Sequence, residues 1–152
     1  MKRRSFIKTA VVAGATGVAV TSGVITPSVA LAGTKDITKV KSLEDALEIM
    51  GATDASESEM IKIKAPEIAE NGAVVPIGIT SEIEGTTEIV TIISNNPLPY
   101  SAKFTIGSKA KAAVKSRFKM AKTTDVVAVV KADDKFYMAK SNIKVTKGGC
   151  GG

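Results

Sequence analysis

The chain has 152 residues, a length that suits one domain, and its formal charge of +6 comes from 21 basic and 15 acidic residues. It contains no histidine, no tryptophan and one cysteine. This composition excludes a Ser-His-Asp or Cys-His nucleophile within one chain, leaves too few ligands for zinc, haem or iron–sulfur centres, and excludes an internal disulfide.

Residues 1–32 have the pattern of a twin-arginine export signal. Arg3 and Arg4 begin a short basic start, and an uncharged stretch over residues 9–32 ends in Ala-Leu-Ala, which is typical of signal peptidase cleavage. A membrane anchor is the alternative, because the stretch is long enough to cross a bilayer, but Gly, Ser and Thr dilute it. We expect a mature protein that begins at Gly33 in the periplasm.

Most of the apparent basicity belongs to this signal. The first 32 residues hold four basic and no acidic residues, so the remaining chain has 17 basic and 15 acidic residues and a charge of +2. Arg117 is the only arginine left. We therefore expect no nucleic-acid partner.

One helix is predicted near the start of the mature chain. Ser42 suits an N-cap and Gly51 a stop, and apolar residues between them recur at helical spacing. Residues 52–58 are polar and are predicted to form a loop.

After that loop the apolar period becomes two, which indicates strands. About seven are predicted, over residues 61–64, 75–79, 89–93, 102–106, 117–120, 126–130 and 136–139. Residues 126–130 form a nearly continuous apolar run, which is typical of a central strand. Asn71-Gly72 is predicted to be a hairpin turn, and Pro76 to place its strand at an edge or a bulge. Residues 107–116 are predicted to be a loop or a weak helical turn. The spacing favours an all-β fold, an immunoglobulin-like antiparallel sandwich over residues 33–147 with a short N-terminal helix.

The last five residues are predicted to form a flexible arm. The single cysteine, Cys150, has two glycines on each side, and the arm is composed of Gly148, Gly149, Cys150, Gly151 and Gly152. Glycine leaves the backbone free and narrow, so the four glycines are expected to serve flexibility and access. An odd cysteine in an exported protein indicates a reactive thiol or an intermolecular bond.

The lysines before the tail allow two interpretations. Lys140, Lys144 and Lys147 could favour the thiolate form of Cys150 through their charge, or they could simply be solvated strand residues. Measured from Thr146, the extended chain would reach Cys150 over about 13 Å.

These features together resemble the SoxY family, the sulfur carriers of periplasmic thiosulfate oxidation. The resemblance is carried by the tail, the twin-arginine signal, the stretch from Ala65 to Pro76 and the Asn96-Pro97-x-Pro99 motif. It implies a carrier and not an enzyme, with Cys150 as the covalent attachment point for thiosulfate-derived sulfur. It also implies a heterodimer with a SoxZ-like subunit, with no metal and no cofactor of its own.

The resemblance further implies two enzyme partners. The haem cytochrome complex SoxAX would join thiosulfate to Cys150 oxidatively, and the metal-dependent thiosulfohydrolase SoxB would release sulfate.

Two other functions remain open from the residues. The terminal Gly151-Gly152 resembles ubiquitin-like sulfur carriers, but their activation needs ATP and the strand pattern disagrees. An exported structural or interaction sandwich could instead form a disulfide-linked homodimer through Cys150.

Overall fold

The computed structural model describes residues 36–148. The predicted export signal with Arg3 and Arg4, and the predicted arm residues Gly149, Cys150, Gly151 and Gly152, lie outside the described residues. Within the described residues there are one 3-10 turn, one α-helix and nine strands. Their bounds are the 3-10 turn Ile37–Lys39, α1 Leu43–Met50, β1 Ser56–Glu57, β2 Ile61–Lys64, β3 Ile68–Ala69, β4 Val75–Ser81, β5 Thr86–Ile93, β6 Tyr100–Thr105, β7 Ala113–Phe118, β8 Thr124–Ala132 and β9 Lys135–Val145.

The strands form two sheets, and the predicted all-β sandwich is confirmed. The larger sheet has the order β1-β9-β8-β5-β6, with β3 also paired to β9, and the smaller sheet has the order β2-β4-β7. The long strands pair antiparallel, whereas β1 and β3 lie parallel to β9. Both short strands pair with the edge of β9 that faces away from β8. Near β3, the N–H groups of Lys144 and Thr146 donate to the segment that contains β3, while the N–H of Val145 between them donates to Thr123 on the β8 side.

The larger sheet is covered on both faces, and this explains the unbroken apolar run in β8. Val126, Ala128 and Val130 join the core between the two sheets. Val127 and Val129 point the other way, into a second core that α1 and the segment before it cover. All five are fully buried. The chain therefore covers this apolar sheet face with its own N-terminal segment.

Helix α1 begins and ends where the sequence predicts. The Ser42 hydroxyl accepts from the Asp45 N–H at 3.0 Å, and the Asp45 carboxylate accepts from the Ser42 N–H at 3.1 Å, which is a capping box. The backbone hydrogen bond from Lys41 is the main reason that the pKa of Asp45 lies below its usual range. Gly51 ends the helix in the left-handed conformation, at φ +72°.

Replacing Ser42 with alanine should lower the free energy of unfolding by about 1 kcal/mol, because the Asp45 N–H loses its acceptor. Ser108→Ala is the matched control, since Ser108 is exposed and makes no side-chain hydrogen bond among the described residues. Urea unfolding of both variants measures the difference. Equal midpoints for the two would contradict a stabilising cap.

The pH dependence of this cap has a definite sign. A lowered folded-state pKa means that Asp45 stabilises the fold above its unfolded-state pKa, and that this contribution is lost as the pH falls through the folded-state value.

Several local predictions are wrong. Residues 52–58 contain β1, and Asn71-Gly72 is not a tight hairpin turn, because β3 lies within the connection from β2 to β4. β2 and β4 nevertheless pair antiparallel. β4 is the central strand of its sheet and not an edge, although β2 pairs only with residues 78–81 and leaves Pro76 with a partner on one side. Residues 107–112 form the predicted loop, but the residues after them begin β7.

None of the helices in the described part of the chain is long and apolar enough to cross a membrane.

Candidate functional site

Strand β9 determines where the C-terminal tail leaves the domain. Its last residue is Val145, and residues 146–148 continue from it. We call residues 145–148 the arm root. Cys150 itself lies two residues beyond it, so the structure describes how the arm is attached and not the thiol.

One side of the arm root is held by the segment that contains β3. The Thr146 N–H donates to the Ala69 carbonyl at 3.1 Å, and its hydroxyl donates to the Glu70 carbonyl at 3.1 Å. The Gly72 N–H then donates to the Lys147 carbonyl at 2.8 Å. The backbone therefore stays attached to the domain through Lys147.

The other side of the arm root contacts the loop before β8. The Val145 N–H donates to the Thr123 hydroxyl at 3.0 Å. A Cβ atom added to Gly148 would overlap the backbone carbonyl oxygen of Ala121. Gly148 is therefore required here for close packing, a role that differs from the flexibility predicted for it.

Two asparagines hold the loop that Gly148 contacts. Asn96 donates from Nδ2 to the Lys119 carbonyl at 2.7 Å and accepts at Oδ1 from the Ala121 N–H at 3.1 Å. Asn95 donates from Nδ2 to the Thr123 carbonyl at 3.0 Å. From the sequence, Asn96 contributed to the family resemblance, and no loop-fixing role was predicted for it or for Asn95. Two adjacent amides, each able to donate and accept, are the signal that could have indicated a loop-fixing role.

Gly72 connects the two sides. Its N–H bonds to Lys147, and its carbonyl accepts from the Met120 N–H at 2.7 Å. Met120 is fully buried in the core between the sheets. The arm root, the β3 segment and the loop before β8 are thus fastened to one another and to the core.

This attachment shortens the arm. The predicted reach of about 13 Å started at Thr146, but Thr146 and Lys147 are both bonded to the domain. From Gly148, an extended chain covers roughly 7 Å to Cys150. A partner that reacts with the thiol must therefore approach the end of the domain closely.

Exposed apolar side chains flank the arm root. Ile68 and Val74 are each 56% exposed, and Leu98 is 51% exposed. Ile68 lies opposite Lys144 in β9, Val74 follows the Gly72 turn, and Leu98 is in the loop that carries Asn96. These three apolar side chains are therefore open to contact beside the segments that hold the arm root.

Lysines and an exposed glutamate, Glu70, all lie near the arm root. Lys140 lies 3.7 Å from Glu57 of β1, whereas Lys144, just before the root, and Lys147, within it, are exposed. Across residues 36–148, histidine, cysteine and acidic side chains form no group of three or more that could hold a metal ion.

The fold and this site define a class of protein: a two-sheet β-sandwich whose last strand presents a short glycine-cysteine tail. A family profile with the description "Sulfur oxidation protein SoxY" matches residues 46–150, and its last matched residue is Cys150. The chain belongs to the SoxY family. The loop and turn motifs that suggested this family from the sequence are the segments that hold the arm root.

A solved SoxY structure agrees with this assignment. The sulfur carrier protein SoxY from Chlorobium limicola f thiosulfatophilum is 40% identical, with a TM-score of 0.62, over 68% of this chain and 91% of that one. The human F-spondin reeler domain is 10% identical with a TM-score of 0.32, over 59% of this chain and 95% of that one, too distant to inform function. No curated protein matches the sequence.

Proposed function

We propose that the protein is a covalent sulfur carrier in thiosulfate oxidation, with Cys150 as the attachment point. The observation that supports this most directly is the fastened arm root, which fixes the point from which a narrow tail leaves the domain. The extent of the family match, which ends at Cys150, adds to it.

The proposed chemistry has two balanced steps. In the first, the Cys150 sulfur bonds to the outer sulfur of thiosulfate, the thiol proton leaves, and two electrons pass to a haem cytochrome complex of the SoxAX type. In the second, water attacks the sulfonate sulfur, sulfate and two protons leave, and a persulfide anion remains on Cys150. A SoxB-like thiosulfohydrolase with its own metal would catalyse the second step. The carrier provides the sulfur atom and its placement, and the partners provide the redox and metal centres.

The proposed setting is the periplasm, reached by the twin-arginine route, with the chain in a heterodimer with a SoxZ-like subunit. Because that route carries folded proteins, the subunit could be exported bound to this chain. Sequencing the N-terminus of the mature protein should give Gly33, and recovery of Met1 in the membrane fraction would contradict export with cleavage.

Intact mass spectrometry tests the carrier function. The mature heterodimer is incubated with thiosulfate and the oxidised haem cytochrome complex, and the mass of this chain should rise by one thiosulfate unit. Dithiothreitol should remove the added mass, because the link is a sulfur–sulfur bond. Omitting the cytochrome complex is the control. A mass equal to twice the chain, with no sulfur adduct under any condition, would instead support the disulfide-linked homodimer.

A further inference from the structure

The outer face of the smaller sheet carries uncompensated positive charge. Its three strands contain four cations and no acidic residue: Lys62 and Lys64 in β2, and Lys115 and Arg117 in β7. All four are exposed. The ion pairs found across residues 36–148 use other lysines. Because the chain from Gly33 onward has a net charge of only +2, this concentration is a local feature and not general basicity.

A hollow lies within this face. Gly78, in the middle of the central strand, is paired with Lys64 on one side and Lys115 on the other. It has no side chain to fill the space between them, and their Cα atoms lie about 10 Å apart across two strand spacings. The cavity has a volume of about 840 Å³ and also contacts Arg117, Pro66 and Pro76. We call it the basic hollow.

The hollow lies beside the arm. Arg117 is opposite Pro76, and the next pair along the ladder is Phe118 with Val75. Two residues further on, the Met120 N–H bonds to the Gly72 carbonyl, and the Gly72 N–H bonds to the arm root at Lys147. The Arg117 end of the hollow and the exit of the arm are therefore at the same end of the domain.

The features of the hollow fit a protein surface better than a small oxyanion. Gly78 is paired with a neighbouring strand on each side, so its backbone is engaged in the sheet and offers no binding site for an anion. The cations are long, exposed side chains, and the two prolines at one end offer rigid apolar contact. Spread-out charges of this kind steer association and set orientation more than they hold one ion.

We propose that the basic hollow is the docking surface for a carboxylate-rich patch beside the active-site opening of the enzyme that receives Cys150. This proposal rests on the carrier function proposed above and names the chemistry of the partner. With the arm limited to roughly 7 Å beyond Gly148, the enzyme must meet the end of the domain. An electrostatic contact next to the point where the arm leaves the domain would orient the enzyme relative to Cys150.

The test measures the rate of sulfur loading by the haem cytochrome complex on two double variants. Lys64→Gln with Lys115→Gln removes the charges that flank Gly78. Lys41→Gln with Lys135→Gln is the matched control, since both lysines are exposed and lie outside the smaller sheet. Both variants are assembled with the SoxZ-like subunit, and size-exclusion chromatography confirms the heterodimer.

The first variant should load about tenfold more slowly at low ionic strength and at low partner concentration, with the saturating rate unchanged. The control should load like the wild type. In 1 M salt, where the Debye length is about 3 Å, the first variant and the wild type should converge. In a binding assay, Cys150→Ser should retain the wild-type affinity for the cytochrome complex.

Four results would overturn the proposal: equal losses in both double variants, a loss that persists in 1 M salt, failure of the first variant to form the heterodimer, or inhibition by sulfate beyond that by chloride at equal ionic strength. The last would assign the hollow to a small oxyanion. Failure of the carrier function is distinguishable, because the wild type would then gain no sulfur mass at all.

Discussion

Replacing Cys150 with serine should remove all thiosulfate-derived mass from the protein. The hydroxyl keeps the size of the side chain, but an alcohol cannot form the sulfur–sulfur bond that the carrier reaction requires. The loss should be complete and not partial, because the chain contains no second cysteine. Intact mass spectrometry after incubation with thiosulfate and the haem cytochrome complex measures it, and the unfolding midpoint should match that of the wild type.

A relocated thiol provides the control for this loss. Ser108→Cys in the Cys150→Ser background places a cysteine in an exposed loop of the domain. It should react with a small alkylating reagent as an ordinary exposed thiol, yet gain no sulfur from the partner enzymes. Efficient loading at residue 108 would show that the thiol need not lie on the tail, and would contradict the proposed role of the arm.

Replacing Gly148 with alanine should slow sulfur loading by about tenfold or more. The added Cβ would overlap the Ala121 carbonyl, so either the arm root or the loop before β8 must move. A displacement of about 1 Å at a reacting centre can cost a hundredfold in rate. Alkylation of Cys150 by a small reagent should be unchanged, because that reaction needs no docking. The ratio of the two rates is the measurement.

Two further glycine variants separate close packing from access. Gly107→Ala is the matched control, since nothing lies within 4 Å of a Cβ at that position, and it should load normally. Gly149→Val should slow turnover by the partner enzymes by widening the arm, again with alkylation unchanged. If Gly148→Ala loaded like Gly107→Ala, the contact with Ala121 would have no functional role.

The helix and the long strands were predictable because their signals are local. Ser42 and Gly51 satisfy the ends of one short helix, and those requirements involve neighbours within a few residues. The apolar run of β8 indicated a central strand for the same reason. The sequence did not reveal that α1 would cover the outer face of that strand, since this depends on a contact between distant segments.

The attachment of the arm was not predictable in this way. Ile68–Ala69 is too short to show a strand period, and it becomes a strand only because β9 lies beside it. The need for glycine at position 148 arises from the carbonyl of Ala121, a contact across 27 positions that no local pattern indicates. From the residues alone, flexibility was the simpler explanation for all four glycines of the tail.

In the proposed function, the short distance from Gly148 to Cys150 limits how sulfur passes between enzymes. An arm of roughly 7 Å cannot reach two active sites, so Cys150 could not enter a second enzyme while the domain stays bound to the first. The proposed enzyme partners would then compete for the same end of the domain, and each transfer would require complete dissociation and a new encounter. Tight binding to any one enzyme would then lengthen its residence time and slow the whole relay, which favours weak, rapidly exchanging complexes.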